Sequence, residues 1–207
     1  KRIPTIIIDP HGEYSTLNQP NLKDKEKLET FGIKPEHYTI QEYGIENCEK
    51  ILRLNPKNLS SQELLKILPA KLSPSQQGIL YSALKNIDGN IDFQDLLFHL
   101  HTSEENSGKW TLINTIEYLK KLDLFSQNPT LTSELVVPGK ATIINLKGLP
   151  QEIQEIVVYK LTSDLFADRK KGYIPPFFMV IEEAHNFLPE RSLGEAKSSS
   201  ILRQAAA

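Results

Sequence analysis

Two adjacent carboxylates follow an apolar run near the carboxyl end of the chain. The run 177–181 leads directly into Glu182 and Glu183, and His185 comes two residues later. An unbroken apolar run that is opened by prolines is typical of a strand buried on both faces, as in a parallel sheet. Ligands bind at the carboxyl edge of open α/β sheets. The two acids therefore stand where a parallel sheet places its chemistry.

The two acids can serve different roles because neighbouring residues of a strand point to opposite faces. Glu182 would hold Mg²⁺ directly or through water, and Glu183 would orient and deprotonate an attacking water. A structural interpretation remains open beside this one. Acids after a strand can cap the following helix and interact favourably with its N-terminal dipole.

A second group of polar residues follows the β-branched run 3–8. Asp9, His11 and Glu13 come directly after it, and a proline and a glycine between them end the strand. In a functional interpretation these residues form a second rim of a phosphate and metal site. In a structural one they form an ordinary turn in which the Asp9 side chain caps its own backbone.

Composition places the chain among globular proteins. Of its 207 residues, 39% are hydrophobic and 24% are charged. The net charge of −2 excludes bulk positive charge as the basis of DNA binding, so any DNA contact needs a local basic patch or a ring of subunits. Cys48 is the single cysteine and precludes an internal disulfide. No apolar run has transmembrane length and no signal peptide is visible, so we expect a cytoplasmic protein that does not enter a membrane.

The pattern along the chain predicts an α/β fold with an inserted helical bundle. Residues 1–58 form the first part of the α/β core, with strands at 3–8, 37–43 and 51–54. Residues 59–130 carry four amphipathic helices, which begin at capping signals such as Ser60–Glu63, Ser73–Gln76 and Asp92. Residues 131–207 return to the core with a buried strand at 141–146, a helix from Pro150 and the strand before Glu182. The polar stretch 18–27 is predicted to be a loop, and 198–207 to begin a helix.

Two histidines lie in the predicted bundle. His99 and His101 fall on one helix, whose apolar stripe is formed by other residues. We interpret them as surface or partly buried helix residues rather than as metal ligands.

The two strand ends together resemble the HerA family of hexameric DNA-translocating ATPases, within the FtsK/HerA group of P-loop motors. Ile6–Tyr14 (IIIDPHGEY) is similar to the family's strand and turn after the P-loop helix. Residues 139–146 resemble the strand before the Walker B unit, and Val180–Phe187 (VIEEAHNF) resembles the Walker B strand itself. Ile201–Arg203 is similar to the start of the helix that follows in the family.

This resemblance implies a RecA-like P-loop ATPase core that uses ATP and Mg²⁺. It implies Glu183 as general base, Glu182 on Mg²⁺, and Asp9 and His11 lining the nucleotide site. His185 either lines the same site or only stabilises the turn after the strand. The implied partners are double-stranded DNA, five further copies in a homo-hexamer, and a nuclease partner that is NurA-like or a defence effector. The implied roles are DNA-end processing and repair, or anti-phage defence.

The sequence also departs from the family pattern. No G-x-x-x-x-G-K-[ST] motif occurs, because Gly139-Lys140 and Gly108-Lys109 both lack the earlier glycine and the following Ser or Thr. The family's N-terminal barrel and its trans-acting arginines are not found either. We expect the phosphate-binding loop to lie upstream of Lys1, and a chain without that loop to be inactive as an ATPase by itself.

Two alternatives remain open at this point. Asp9, His11, Glu182, Glu183 and His185 could bind zinc or manganese in a metal-dependent hydrolase if the two strand ends meet. Against this, no compact His-x-x-x-His pair is present. Alternatively, the chain is a degenerate ATPase domain that acts as a non-catalytic scaffold for assembly or DNA binding.

Overall fold

The structure is a computed structural model that describes residues 3–46, 48–56, 64–65, 68, 72–87, 91–103 and 108–187. The chain divides into two compact units. The first consists of residues 1–52, 131–149 and 163–184, and the second of residues 53–130, 150–162 and 185–207. The predicted domain bounds at 58 and 130 stay predictions.

The first unit is built on a five-stranded sheet in which every pair of neighbouring strands is parallel. The strand order is β3-β2-β4-β1-β5, with ladders that join β3 to β2, β2 to β4, β4 to β1 and β1 to β5. This confirms the predicted α/β class and its parallel sheet. The strands are β1 (Thr5–Asp9), β2 (Ile40–Gly44), β3 (Lys50–Ile51), β4 (Ala141–Asn145) and β5 (Phe178–Ile181).

The two central strands of this sheet supply its core. The isoleucine side chains at 6, 8, 143 and 144 are fully buried. These β-branched residues suit a strand with neighbours on both sides and cover on both faces, as the apolar runs at 3–8 and 141–146 predicted. Strands β1 and β4 therefore form the buried part of the sheet from which two of the loops at its carboxyl edge emerge.

The strand before Glu182 differs from its prediction. We expected a strand buried on both faces, but β5 lies at the edge of the sheet and pairs with β1 alone among the described strands. Phe178 is 61% exposed and Val180 is 41% exposed, while Met179 and Ile181 are half-buried. The prediction was wrong because an apolar run does not reveal how many neighbours its strand has.

Two further elements of this unit differ in position from their predictions. The strand predicted at 37–43 begins later, at Ile40, and the one predicted at 51–54 is reduced to the two residues of β3. The polar stretch 18–27 is not only a loop, because helix α1 (Lys25–Thr30) begins within it. A short 3-10 helix, Tyr14–Asn18, precedes it, directly after the Asp9 turn.

The second unit contains three described helices that pack on one another. They are α2 (Pro74–Leu84), α3 (Phe93–Thr102) and α4 (Lys109–Lys121). Ser73 and Gln76 form the predicted capping box, and the Asp92 side chain accepts a hydrogen bond from the Gln94 amide. The first predicted helix, with its signal at 60–63, lies largely outside the described residues.

The histidines of α3 sit as the sequence indicated. His99 is half-buried and its ring packs edge-on against Phe98. His101 is exposed and its ring meets Trp110 in the same way. Both contacts are those of surface aromatic residues on a helix.

Helix α5 (Thr132–Leu135) precedes β4, and helix α6 (Gln151–Lys170) begins after Pro150 as predicted. The residues of α6 are divided between the two units. No helix in the described part of the chain combines the length and the apolar character needed to cross a membrane. The helix predicted at 198–207 lies outside the described residues.

The backbone at Glu183, directly after β5, adopts a left-handed conformation. Its φ is 52°, and among the described non-glycine residues only Asp123, with φ 49°, shares this feature. A residue with a Cβ in this region costs about 1–2 kcal/mol. Such strain concentrates at functional sites, where the surrounding structure holds it in place.

We therefore expect glycine to be more stable than alanine at position 183. The Glu183→Gly variant should unfold with a free energy about 1 kcal/mol higher than that of Glu183→Ala, because glycine accepts the positive φ without a steric penalty. Both variants remove the same carboxylate, so its contacts cancel in the comparison. Urea denaturation of both variants measures the difference.

Exposed Glu117 on α4 provides the control pair. There alanine should be the more stable residue by about 1 kcal/mol, since glycine is unfavourable inside a helix. If Glu183→Ala proved as stable as Glu183→Gly, the backbone at position 183 would not be strained.

Candidate functional site

Polar side chains follow three neighbouring strands at the carboxyl edge of the sheet in the first unit. Asp9 ends β1 and lies opposite Asn145, the last residue of β4. On the other side, Ile8 lies opposite Ile181, and the amide of Glu182 donates to the Ile8 carbonyl at 3.1 Å. The register of β1 thus brings the two predicted strand ends, at Asp9 and at Glu182, to the same edge.

Asp9 is fully buried, and its carboxylate organises the loop that follows it. Its Oδ1 accepts hydrogen bonds from the amides of Gly12 at 2.8 Å and Glu13 at 3.1 Å. Its Oδ2 accepts from the amide of Tyr14 at 3.1 Å. The structure therefore shows the turn capped by Asp9 that the structural interpretation of the sequence predicted. A carboxylate that binds three amides holds its loop in one conformation.

Gly12 suits its position in this loop chiefly through its backbone conformation. Its φ is +72°, a conformation that glycine adopts without penalty. A Cβ placed there would also lie 2.8 Å from Cδ of Lys147 and 3.4 Å from Oδ1 of Asn145. The loop after β1 therefore packs closely against the end of β4.

Tyr14 connects the two strand ends. Its hydroxyl donates a hydrogen bond to Oε2 of Glu182, although the two residues are 168 positions apart in the chain. This hydrogen bond, together with burial and the negative charge of Glu182, raises the pKa of Tyr14 to about 12. The phenol therefore remains a neutral donor at physiological pH. The sequence analysis included Tyr14 in a motif but assigned it no role.

The other predicted residues occupy the same loops without converging on Asp9. His11 is exposed in the loop after β1, as is Glu13. Glu183 is half-buried directly after Glu182, in the strained conformation described above. His185 is exposed in the 3-10 helix Ala184–Asn186, and it is grouped with the second unit.

Asn145 is a further polar residue of this edge that the sequence analysis did not select. Its Nδ2 donates to Oε1 of Glu42 on β2 at 2.7 Å, and its Oδ1 accepts from the amide of Lys147 at 3.0 Å. The available signal was a polar residue that ends an apolar run, the same signal that selected Asp9. Asn145 links the end of β4 to β2 as Tyr14 links β1 to the end of β5.

The arrangement suits some metals better than others. In the described part of the chain, no three His, Cys, Asp or Glu side chains come together as a metal-binding group. These residues therefore do not form a preassembled three-ligand site for zinc or manganese. Mg²⁺ in nucleotide sites is usually held by one or two carboxylates together with phosphates and waters. Glu182 fits this requirement, since the Tyr14 hydroxyl occupies only one of its two oxygens.

One cavity of the first unit lies at the opposite edge of the sheet, where the strands begin. It measures about 880 Å³, and Thr5, Tyr38, Lys140 and Phe178 are among its lining residues. It contains none of the site residues that the sequence predicted. The paired acids and the Asp9 loop lie instead at the carboxyl edge, where ligands of open α/β sheets bind.

Comparison with known proteins identifies the family. Residues 1–165 match the family described as Helicase HerA, central domain. The matched range contains the Asp9 loop and ends before Glu182. No match was found among curated proteins.

Among solved structures, the chain is similar to VirB4 of Thermoanaerobacter pseudethanolicus, with a TM-score of 0.55 and 14% sequence identity. The similarity covers 98% of this chain and 80% of that one. At this identity the likeness concerns the fold alone, and it agrees with the parallel sheet described above. Since the family model covers most of its length, the chain belongs to the HerA helicase central-domain family, a group of P-loop ATPases.

Proposed function

We propose that the chain is the central part of an ATP-dependent DNA translocase or helicase of HerA type. Family membership supports ATPase chemistry in general. The observation that carries the proposal is the meeting of the Asp9 loop with Glu182 at one edge of a parallel sheet, with strained Glu183 next to them. In P-loop ATPases, acidic residues at this edge of the sheet bind the metal ion and orient the attacking water.

Each residue has a separate task in this proposal. Glu183 acts as the general base that orients and deprotonates the attacking water. Glu182 would hold Mg²⁺ directly or through water, and the metal would supply neutralisation of the phosphate charge. Asp9 contributes by holding its loop, and exposed His11 would line the nucleotide site. His185 stays a candidate for the nucleotide lining.

The phosphate-binding loop has no counterpart in these 207 residues, because the G-x-x-x-x-G-K-[ST] motif is not present. Our proposal assigns that loop to a part of the protein outside this chain. The 207 residues alone would then lack ATPase activity, and activity is to be measured on the full-length protein.

The proposed partners follow from the family. We propose that the protein works in the cytoplasm as a homo-hexamer on double-stranded DNA with a nuclease partner, in DNA-end processing, repair or anti-phage defence. With a net charge of −2, the chain can bind DNA only through local basic patches that a ring concentrates at its centre. The runner-up function is a non-catalytic scaffold, which the missing phosphate-loop motif favours.

Replacing the proposed base should separate ATP binding from hydrolysis. In the full-length protein, Glu183→Gln should lower kcat by roughly 10²–10⁴-fold, because the attacking water loses its general base. ATP affinity should change by less than about twofold, since the substitution is nearly isosteric and leaves Glu182 in place. Steady-state DNA-stimulated ATPase assays and nucleotide-binding titrations measure the two quantities.

The exposed Glu117 on α4 offers a matched control, because Glu117→Gln makes the same chemical change in the helical unit. Its kcat should equal that of the wild type. Normal turnover by Glu183→Gln would refute the assigned base. A full-length protein that binds DNA but hydrolyses no ATP would favour the scaffold.

The tasks of Asp9 and His11 can also be separated. Asp9→Ala should lower the free energy of unfolding by about 2–3 kcal/mol, because it leaves backbone amides without their charged acceptor. His11→Ala should leave stability within about 0.5 kcal/mol, as expected for an exposed side chain, and should reduce only turnover. Urea denaturation and ATPase assays on both variants test this difference.

Exposed Glu13 in the same loop is the stability control, and Glu13→Ala should behave like the wild type in urea. Equal stability of Asp9→Ala and Glu13→Ala would show that the Asp9 carboxylate does not hold the loop.

A further inference from the structure

We propose that Tyr14 is a positioning residue for Glu182 and fixes the orientation in which that carboxylate meets Mg²⁺. The inference rests on the proposed function, because it deepens the role of Glu182 in the same site. It is carried by the hydrogen bond from the Tyr14 hydroxyl to Oε2 of Glu182. Tyr14 does not touch the reacting atoms in this proposal and acts through Glu182 alone.

Both partners of this hydrogen bond are anchored to the same strand. The Tyr14 amide is held by the Asp9 carboxylate at the end of β1, and Tyr14 begins the 3-10 helix Tyr14–Asn18. The Glu182 amide donates to the carbonyl of Ile8, also on β1. The backbones of Tyr14 and Glu182 are therefore both hydrogen-bonded to residues of β1. Their hydrogen bond fixes a glutamate side chain that would otherwise sample several rotamers.

A tyrosine hydroxyl is a suitable hydrogen-bond donor to a carboxylate that binds a metal. A tyrosine hydroxyl donates one hydrogen bond and carries no positive charge, so it orients the carboxylate without neutralising it. A Lys or Arg partner would compete with the cation for the same charge. Among the described residues no salt bridge involves Glu182.

Hydrogen-bond partners of metal ligands have measurable effects of their own. Removing such a partner typically lowers metal affinity or activity by about 10–100-fold, because the ligand loses its preferred orientation. Tyr14 is such a hydrogen-bond partner of Glu182. Asp9 in turn holds the Tyr14 amide. The structure thus links a buried aspartate to the metal ligand through one tyrosine.

The test is Tyr14→Phe in the full-length protein, which removes one hydroxyl and keeps the ring. Two quantities are measured: kcat as a function of Mg²⁺ concentration, and Mn²⁺ affinity by electron paramagnetic resonance with ATP bound in the Glu183→Gln background. We expect Mn²⁺ affinity to fall about 10-fold or more and the Mg²⁺ concentration for half-maximal kcat to rise to match. The KM for ATP at saturating Mg²⁺ should change by less than about twofold, since Tyr14 has no role in holding ATP.

Tyr38→Phe is the matched control, because Tyr38 is an exposed tyrosine of the same unit. It should leave both quantities unchanged. A double-mutant cycle shows whether Tyr14 acts through Glu182: in a Glu182→Ala background, Tyr14→Phe should have less than about a twofold effect on Mn²⁺ affinity. An undiminished effect in that background would overturn the proposed route.

Failure of this inference differs from failure of the proposed function. If Glu183→Gln abolishes turnover while Tyr14→Phe matches the wild type in metal affinity and kcat, the function stands and the role of Tyr14 is wrong. If Glu183→Gln hydrolyses ATP normally, the assigned base is wrong, whereas a full-length wild-type protein that hydrolyses no ATP would overturn the proposed function itself. Thermal denaturation of Tyr14→Phe separates a metal effect from a loss of folding, because a positioning role predicts lower metal affinity in a variant that stays folded at the assay temperature.

Discussion

The hydrogen bonds that the buried Asp9 carboxylate accepts are the interactions on which the rest of this site depends. The carboxylate accepts hydrogen bonds from three successive amides, those of Gly12, Glu13 and Tyr14, and so closes the loop after β1. That loop delivers the Tyr14 hydroxyl to Glu182 at the end of β5. Without Asp9 the loop would lose its common acceptor, and Glu182 would lose a partner that is held in place.

The parallel sheet supplies the second constraint. Because β1 pairs with both β4 and β5, the ends of these three strands share one edge. The chain then leaves β5 through Glu183 in a strained, left-handed conformation. This conformation costs about 1–2 kcal/mol for a residue with a Cβ, and such strain concentrates at functional sites.

Local signals predicted much of the fold. The β-branched run at 3–8, the apolar run at 141–146 and the capping signals at Ser73 and Asp92 each report on their own surroundings, and the structure confirms them. The exposure of β5 could not be predicted in this way, because an edge strand and a central strand can have the same apolar sequence. Helix α1 was also missed, since its polar residues carry no apolar stripe. The Tyr14–Glu182 hydrogen bond joins residues 168 positions apart, so only the register of the sheet reveals it.

The central claim is that Glu182 and Glu183 form a nucleotide-hydrolysing site with the loop that Asp9 holds. A structure of the full-length Glu183→Gln protein with ATP and Mg²⁺ tests it most directly. We predict metal density next to Glu182, the γ-phosphate facing residue 183, and the Tyr14 hydroxyl still bound to Oε2 of Glu182. Nucleotide and metal bound away from the carboxyl edge of this sheet, with Glu182 in contact with neither, would contradict it.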